Sequence, residues 1–213
     1  MSSTPPIQFY FDLASPYSYL AATQVDALGA RLGAEVRWRP VSLGGIFKLT
    51  GNVPPAMLQA RGRYMLQDLQ RWARVYGVPF VMPDVFPSNS LLAQRLLLAV
   101  QAAHGEPVMR DLALRIYALY WAHNRDVADP ETLREALVAL ELDADAALAA
   151  AVTPDNKRAL IDKTTELVER GAFGLPVCFV EDQMFFGNDR LTLLEATYPD
   201  GTPSARLIAP MTK

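Results

Sequence analysis

The 213-residue chain has one cysteine, Cys178, and two histidines, His104 and His123. A single thiol excludes an intrachain disulfide and any dithiol redox couple. Cys178 lies between Val177 and Phe179 in a β-like run, where a buried, inert thiol is expected. Neither histidine stands in a nucleophile motif or has a partner ligand at helical spacing, so neither a His-based triad nor a metal centre has support. Long apolar runs are missing too: the most lipid-like stretch, Leu91 to Val100, is short and broken by Gln94 and Arg95. Met1 to Pro6 has neither the basic start nor the apolar stretch of a secretory signal, so a cytoplasmic protein without a membrane span is expected. The net charge is -3, with basic residues interleaved among acidic ones. Without a basic stripe, a nucleic-acid partner is not expected.

What is present is an ordinary globular composition, 51% hydrophobic and 20% charged, in a chain long enough for one sizeable core or one domain carrying an insertion. The chain is organised around Phe9 to Leu20. An apolar, aromatic run stops at a small polar residue, and Pro16 then opens a helix-compatible stretch, so the pattern is strand, sharp turn, helix. Ser15 occupies the N-cap position and Pro16 the first helical one, which gathers free N–H groups and the positive dipole end at Ser15. A serine there serves as a helix cap, and the same surroundings also suit an anion.

Taken in order, Ile7 to Phe11 is a strand buried on both faces. The helix from Ser15 carries Tyr17, Leu20, Ala21, Val25, Leu28 and Leu32 on one face and stops at Gly33, and a second strand spans 35–43. Gly44 to Pro55 is a loop rich in breakers. The pattern then becomes helical to about Gly171, with roughly five helices of ordinary length. One carries Met65, Leu69, Trp72 and Tyr76; a loop follows over 78–89; Ser90 caps the next; Asp129-Pro130 and Thr153-Pro154 open two more. Trp72 and Tyr76 are expected in the core. After Gly171 the pattern returns to β, with a hairpin of Pro176 to Val180 and Met184 to Phe186, and a last helix over 190–198. This βαβ, helices, ββα order is thioredoxin-like, with an all-helical domain inserted in its middle.

Three separated stretches carry a specific resemblance: Phe11 to Leu20, Gly44 to Pro55, and Gly171 to Pro176 with Phe186 to Arg190. Together they resemble 2-hydroxychromene-2-carboxylate isomerases and kappa-class glutathione transferases, relatives of bacterial disulfide oxidoreductases, over essentially the whole chain. The resemblance implies an α/β thioredoxin-like domain of residues 1–46 and 172–213, with a helical domain of residues 47–171 inserted, in a homodimer. Where the oxidoreductases have Cys-x-x-Cys, this chain has Ser15-Pro16-Tyr17-Ser18.

By the same resemblance Ser15 is the catalytic residue, donating to the sulfur of glutathione. Leu175-Pro176 matches a cis peptide whose leading residue pairs with the cysteinyl unit, Asn188 and Asp189 match the holders of the γ-glutamyl end, and Asn52 falls near the glycyl end. Each has a plainer structural use: a trans turn before a strand, a cap for the last helix, a residue that shapes a loop. Lys48, Arg61, Arg63 and Arg71 could attract an acidic substrate, but charged helix faces are usually just solvated, and no role is assigned to them. The implied reaction is glutathione-dependent isomerisation of 2-hydroxychromene-2-carboxylate or a similar aromatic unsaturated keto acid, by thiolate addition, bond rotation and elimination. Gly187-Asn188-Asp189 leans toward these isomerases, whereas Gly44-Gly45 and Pro54-Pro55 lean toward a kappa-type transferase or peroxidase. A glutathione- or peptide-binding module without turnover is the third reading.

Overall fold

A computed structural model describes residues 4–54 and 58–199 of the chain. Met1 to Ser3, Pro55 and residues 200–213, on which parts of the sequence expectations fall, lie outside the described residues. Strand β1 (Ile7–Phe11) leads through a turn into helices α1 (Pro16–Ala22) and α2 (Val25–Leu32), then β2 (Val36–Pro40) and α3 (Leu43–Thr50). Helices α4 (Gln59–Tyr76), α5 (Leu91–His104), α6 (Glu106–Trp121), α7 (Pro130–Val138), α8 (Ala144–Ala151) and α9 (Pro154–Glu169) follow. The described chain closes with β3 (Val177–Val180), β4 (Gln183–Phe186) and α10 (Arg190–Thr197).

The four strands form one sheet in the order β2-β1-β3-β4. β1 runs parallel to β2, with Phe9 opposite Trp38, and antiparallel to β3, with Phe9 opposite Cys178. Because side chains alternate across a strand, Ile7, Phe9 and Phe11 enter the large core on one face, shared with α1, α2, α5 and α6. Tyr10, Val177 and Phe179 enter a smaller one with Ile46 of α3 and Leu167 of α9. Both faces of β1 are covered, which accounts for its continuous apolar run.

An aromatic column ties the sheet to the helices. Trp38 meets Phe9 and Phe11 edge-on at 5.0 and 5.2 Å between centroids, Phe11 touches Tyr117, and Tyr117 touches Tyr19, which stacks on Trp121. Polar groups follow the same route. Gln94 Nε2 donates to the carbonyls of Phe11 and Val41, the Tyr117 hydroxyl to that of Asp12 at 3.1 Å, and Trp121 Nε1 to that of Leu13 at 2.9 Å. Buried carbonyls need such donors.

Several local expectations need correction. The helix expected from Ser15 to Leu32 is broken at Thr23 and Gln24, where Gln24 takes φ -118° and the Thr23 hydroxyl donates to the Leu20 carbonyl. The loop expected from Gly44 is helical as far as Thr50: Ser42 caps α3 by accepting from the Gly45 amide at 3.0 Å, and Gly51 ends it at φ +69°. Gly45 does not break α3 because it is needed there, since a Cβ would come within 3.1 Å of Thr164 on α9. From Gln59 to Glu169 there are six helices where five were expected, because Ala144–Ala151 stands apart as its own capped helix. Ser90 does not cap α5 with its side chain; Asn89 Oδ1 accepts from the Leu91 amide at 3.1 Å instead. The caps at Asp129 and Thr153 are formed as expected.

Cys178 is buried in β3, and desolvation pushes its thiol up to about 12. At about pH 9 the native protein should therefore resist a thiol-specific reagent, while the unfolded chain, its thiol near its ordinary value, labels at once. Replacing Gln94 with Ala orphans the Val41 carbonyl and opens a gap. A loss of about 2–4 kcal/mol is expected, read as a lower urea midpoint at unchanged slope.

Candidate active site

The turn between β1 and α1 is built by Asp12. Its Oδ1 accepts from the Ala14 amide at 2.8 Å, which is the Asx-turn geometry, and its Oδ2 accepts from the Leu43 amide at 2.7 Å. The Ser90 hydroxyl is a third partner. One buried carboxylate thus gathers the end of β1 and the starts of α3 and α5. Burial pushes its pKa up, and the three hydrogen bonds pull it back only in part.

Ser15 comes next in the same turn, its amide donating to the Asp12 carbonyl at 3.0 Å. It is the α1 N-cap, as expected, with Oγ accepting from the Ser18 amide at 3.2 Å. The same hydroxyl lies 3.4 Å from the carbonyl of Leu175, 160 residues away. At that length the bond is weak and readily redirected. Leu175-Pro176 is a cis peptide, and the Pro176 carbonyl accepts from the Gly187 amide at 2.9 Å. The Leu175 amide, though its residue is buried, donates to no other described residue. Ser18, the counterpart of the second oxidoreductase cysteine, is fully buried and does not reach the cleft.

Above Ser15 opens a cleft of about 1150 Å³. Ser15, Asn52, Leu175, Asn188 and Asp189 all line it; Pro176 does not. Asn52 Nδ2 donates to the Phe173 carbonyl at 3.1 Å and its Oδ1 accepts from the Val53 amide, so it ties the end of α3 to the segment before Leu175. Asn188 is buried, with its carbonyl accepting from the Tyr76 hydroxyl at 3.1 Å and its Nδ2 donating to the same oxygen at 3.3 Å. Asp189 occupies the N-cap position of α10 without capping it; its carboxylate pairs with Arg190 at 2.6 Å. The amides of Asn188 and Asp189 donate to no other described residue.

Sequence reasoning missed several residues here. Trp72 and Tyr76 pack against the core as expected, but Trp72 also lines the cleft and Tyr76 holds Asn188. Tyr17 donates to Asp68 at 2.9 Å, and both line the cleft. Lys48 and Arg61 line it; Arg63 and Arg71 do not. Asp12 left a local signal, an Asp three residues before a helix-capping Ser. The long-range partners left none.

The family model described as a DSBA-like thioredoxin domain matches residues 6–199. The chain belongs to that family. Among DSBA-like relatives it is 33% identical to a 2-hydroxychromene-2-carboxylate isomerase of Sphingobium xenophagum, over 91% of this chain and 97% of that one. It is 32% identical to the human glutathione S-transferase kappa 1, over 88% of each. The DSBA-like fold superposes on a solved 2-hydroxychromene-2-carboxylate isomerase with a TM-score of 0.79 at 27% identity, covering 89% of this chain and 92% of that one. Among the described residues no group of three or more His, Cys, Asp or Glu is placed to hold a metal ion, and no helix is long and apolar enough to cross a membrane.

Asp12→Asn keeps the shape of residue 12 but substitutes a donor for one acceptor oxygen. The variant should lose about 1–3 kcal/mol at pH 4. In the parent the folded-state pKa of Asp12 is raised, so its contribution is full below its ordinary value and declines as pH rises through the raised one. The parent's advantage over the variant should shrink from roughly pH 4 upward and then level off, which denaturant titrations across pH 4–8 would reveal.

Proposed function

We propose that the protein is a glutathione-dependent isomerase of 2-hydroxychromene-2-carboxylate or a similar aromatic unsaturated keto acid, with Ser15 as the catalytic residue. The observation that carries this reading is the meeting of the Ser15 hydroxyl with the Leu175 carbonyl at 3.4 Å, beside a Leu175 amide without an acceptor among the described residues. That ledge fits the cysteinyl unit of an extended peptide, which would pair with the Leu175 backbone in β fashion and bring its thiol to Ser15. The free amides of Asn188 and Asp189 fit the γ-glutamyl carboxylate, and the Asp189 carboxylate fits its ammonium group. Asn52 would lie toward the glycyl end.

When bound, glutathione supplies a sulfur nucleophile that adds to a conjugated carbon, frees a double bond to rotate, and departs unconsumed. The protein's part is to favour the anionic form of that thiol. A thiol of ordinary pKa, roughly 8.5, is a few per cent ionised at neutral pH. Turning the Ser15 hydroxyl from the Leu175 carbonyl onto the sulfur stabilises the charge, and the amide end of α1 adds to it. α1 has only seven residues, so the hydroxyl carries the larger share. Leu91, Leu160, Met65, Trp72 and Phe86 give the cleft an apolar wall for an aromatic ring. The resemblance also supports a cytoplasmic homodimer.

The likeness to kappa-class transferases favours a second reading, in which the same thiolate leaves with the product or is oxidised. A balance of total glutathione before and after turnover separates the two, since isomerisation leaves it unchanged. Replacing Ser15 with Ala should lower turnover of 2-hydroxychromene-2-carboxylate, followed in the ultraviolet, by about a hundredfold while glutathione still binds. Turnover that needs neither glutathione nor Ser15 would overturn the isomerase reading, and binding without turnover in either protein would favour a non-catalytic module.

A further inference from the structure

The charged groups of the cleft are unevenly matched. Its three carboxylates are engaged: Asp12 by two amides and the Ser90 hydroxyl, Asp68 by Tyr17, and Asp189 by Arg190. Lys48, Arg61 and Arg95 also line it, and none of them forms an ion pair among the described residues. Lys48 and Arg61 are exposed, so water satisfies them. Arg95 is different. It is half-buried, and its Nε is shut off from solvent with no acceptor among the described residues.

The position of Arg95 is set with care. Its neighbour Gln94 is pinned to the Phe11 and Val41 carbonyls, which fixes the rotation of α5 about its axis. Asn156 Nδ2, in the first turn of α9, donates to the Arg95 carbonyl at 2.7 Å and holds α9 against α5. Residue 95, about 100° further around the helix than residue 94, faces the cleft with Leu91 one turn before it. Leu160, Ile161, Thr164 and Thr165 of α9 line the same cleft. A half-buried guanidinium with an N–H that lacks an acceptor is costly, and a turn of the side chain toward the cleft would let its planar fork match a carboxylate in two parallel hydrogen bonds.

We propose that Arg95 is the anchor for the carboxylate of the aromatic substrate, at a subsite between α5 and α9. The proposed glutathione ledge is built from other elements, the segment before β3 and the start of α10. The identity of the carboxylate as the substrate's rests on the reading of the ledge as the glutathione site. With Arg95 holding the carboxylate and the apolar wall holding the ring, the conjugated chain between them is presented in one orientation. The enzyme would thus select aromatic acids over the corresponding neutral compounds.

The test uses calorimetric titration of the full chain with 2-naphthoate, 2-naphthamide and glutathione, in the parent and in Arg95→Gln and Arg95→Lys. The parent should prefer the acid over the amide by about tenfold to a hundredfold. Arg95→Gln should abolish that preference while keeping its affinities for the amide and for glutathione within about twofold of the parent's, and Arg95→Lys should keep part of it. Equal binding of both probes by the parent, or an intact preference in Arg95→Gln, would overturn the proposal. So would loss of glutathione binding in Arg95→Gln alone, since the anion at Arg95 would then be a carboxylate of glutathione. A parent that prefers the acid yet binds no glutathione would sink the glutathione reading and leave the anion subsite standing.

Discussion

Three consecutive backbone carbonyls, those of Phe11, Asp12 and Leu13, are the constraint on which the rest of the structure depends. They lie where the central strand ends and the chain turns toward α1, covered by helices and unable to reach water. Each receives a donor from far along the chain: Gln94 on α5, then Tyr117 and Trp121 on α6. The Phe11 and Asp12 carbonyls also accept from the Val41 and Ser15 amides, so there the distant donors fill second acceptor sites, each worth about 1 kcal/mol, and the turn and the helices support one another. Ser15 stands on that turn, and its place relative to Leu175 is therefore decided by side chains some eighty to a hundred residues away.

The same logic explains why a buried carboxylate is kept at Asp12. Apolar packing could fill its volume, but no apolar residue accepts from the Ala14 and Leu43 amides and the Ser90 hydroxyl at once. The burden of burial shows in its raised pKa. In return, one side chain holds the ends of three elements in a fixed relation. The cleft then inherits a rigid floor, beside which stand groups with spare hydrogen-bonding capacity: the weakly engaged Ser15 hydroxyl, the Leu175 amide and the Arg95 guanidinium.

The legible parts of the fold were those written locally. Alternating or continuous apolar runs marked the strands, and Asp129-Pro130 and Thr153-Pro154 marked helix starts, because caps and periodicity act within a few residues. The Ser15 turn was legible for the same reason. Gly44-Gly45 misled because Gly45 serves a close approach to α9, and that partner is invisible in a window of ten residues. Ser90 misled because its hydroxyl serves Asp12 across the fold. Trp72 and Tyr76 fitted a core stripe and do pack on the core, yet a half-buried aromatic can face a core and a cleft at once. Arg95 left no mark, since its meaning lies in what does not surround it.

Three tyrosines hang α4 and the loop after it on the rest of the molecule: Tyr17 donates to Asp68, Tyr19 to the Pro79 carbonyl at 2.6 Å, and Tyr76 to the Asn188 carbonyl. Burial raises the pKa of all three phenols above its ordinary value. Each therefore remains a donor through the whole range in which a thiol or a carboxylate changes its charge. The donor side of these three contacts is accordingly kept across that range. A pH limb in ligand binding over that range therefore does not arise from loss of these three phenol protons.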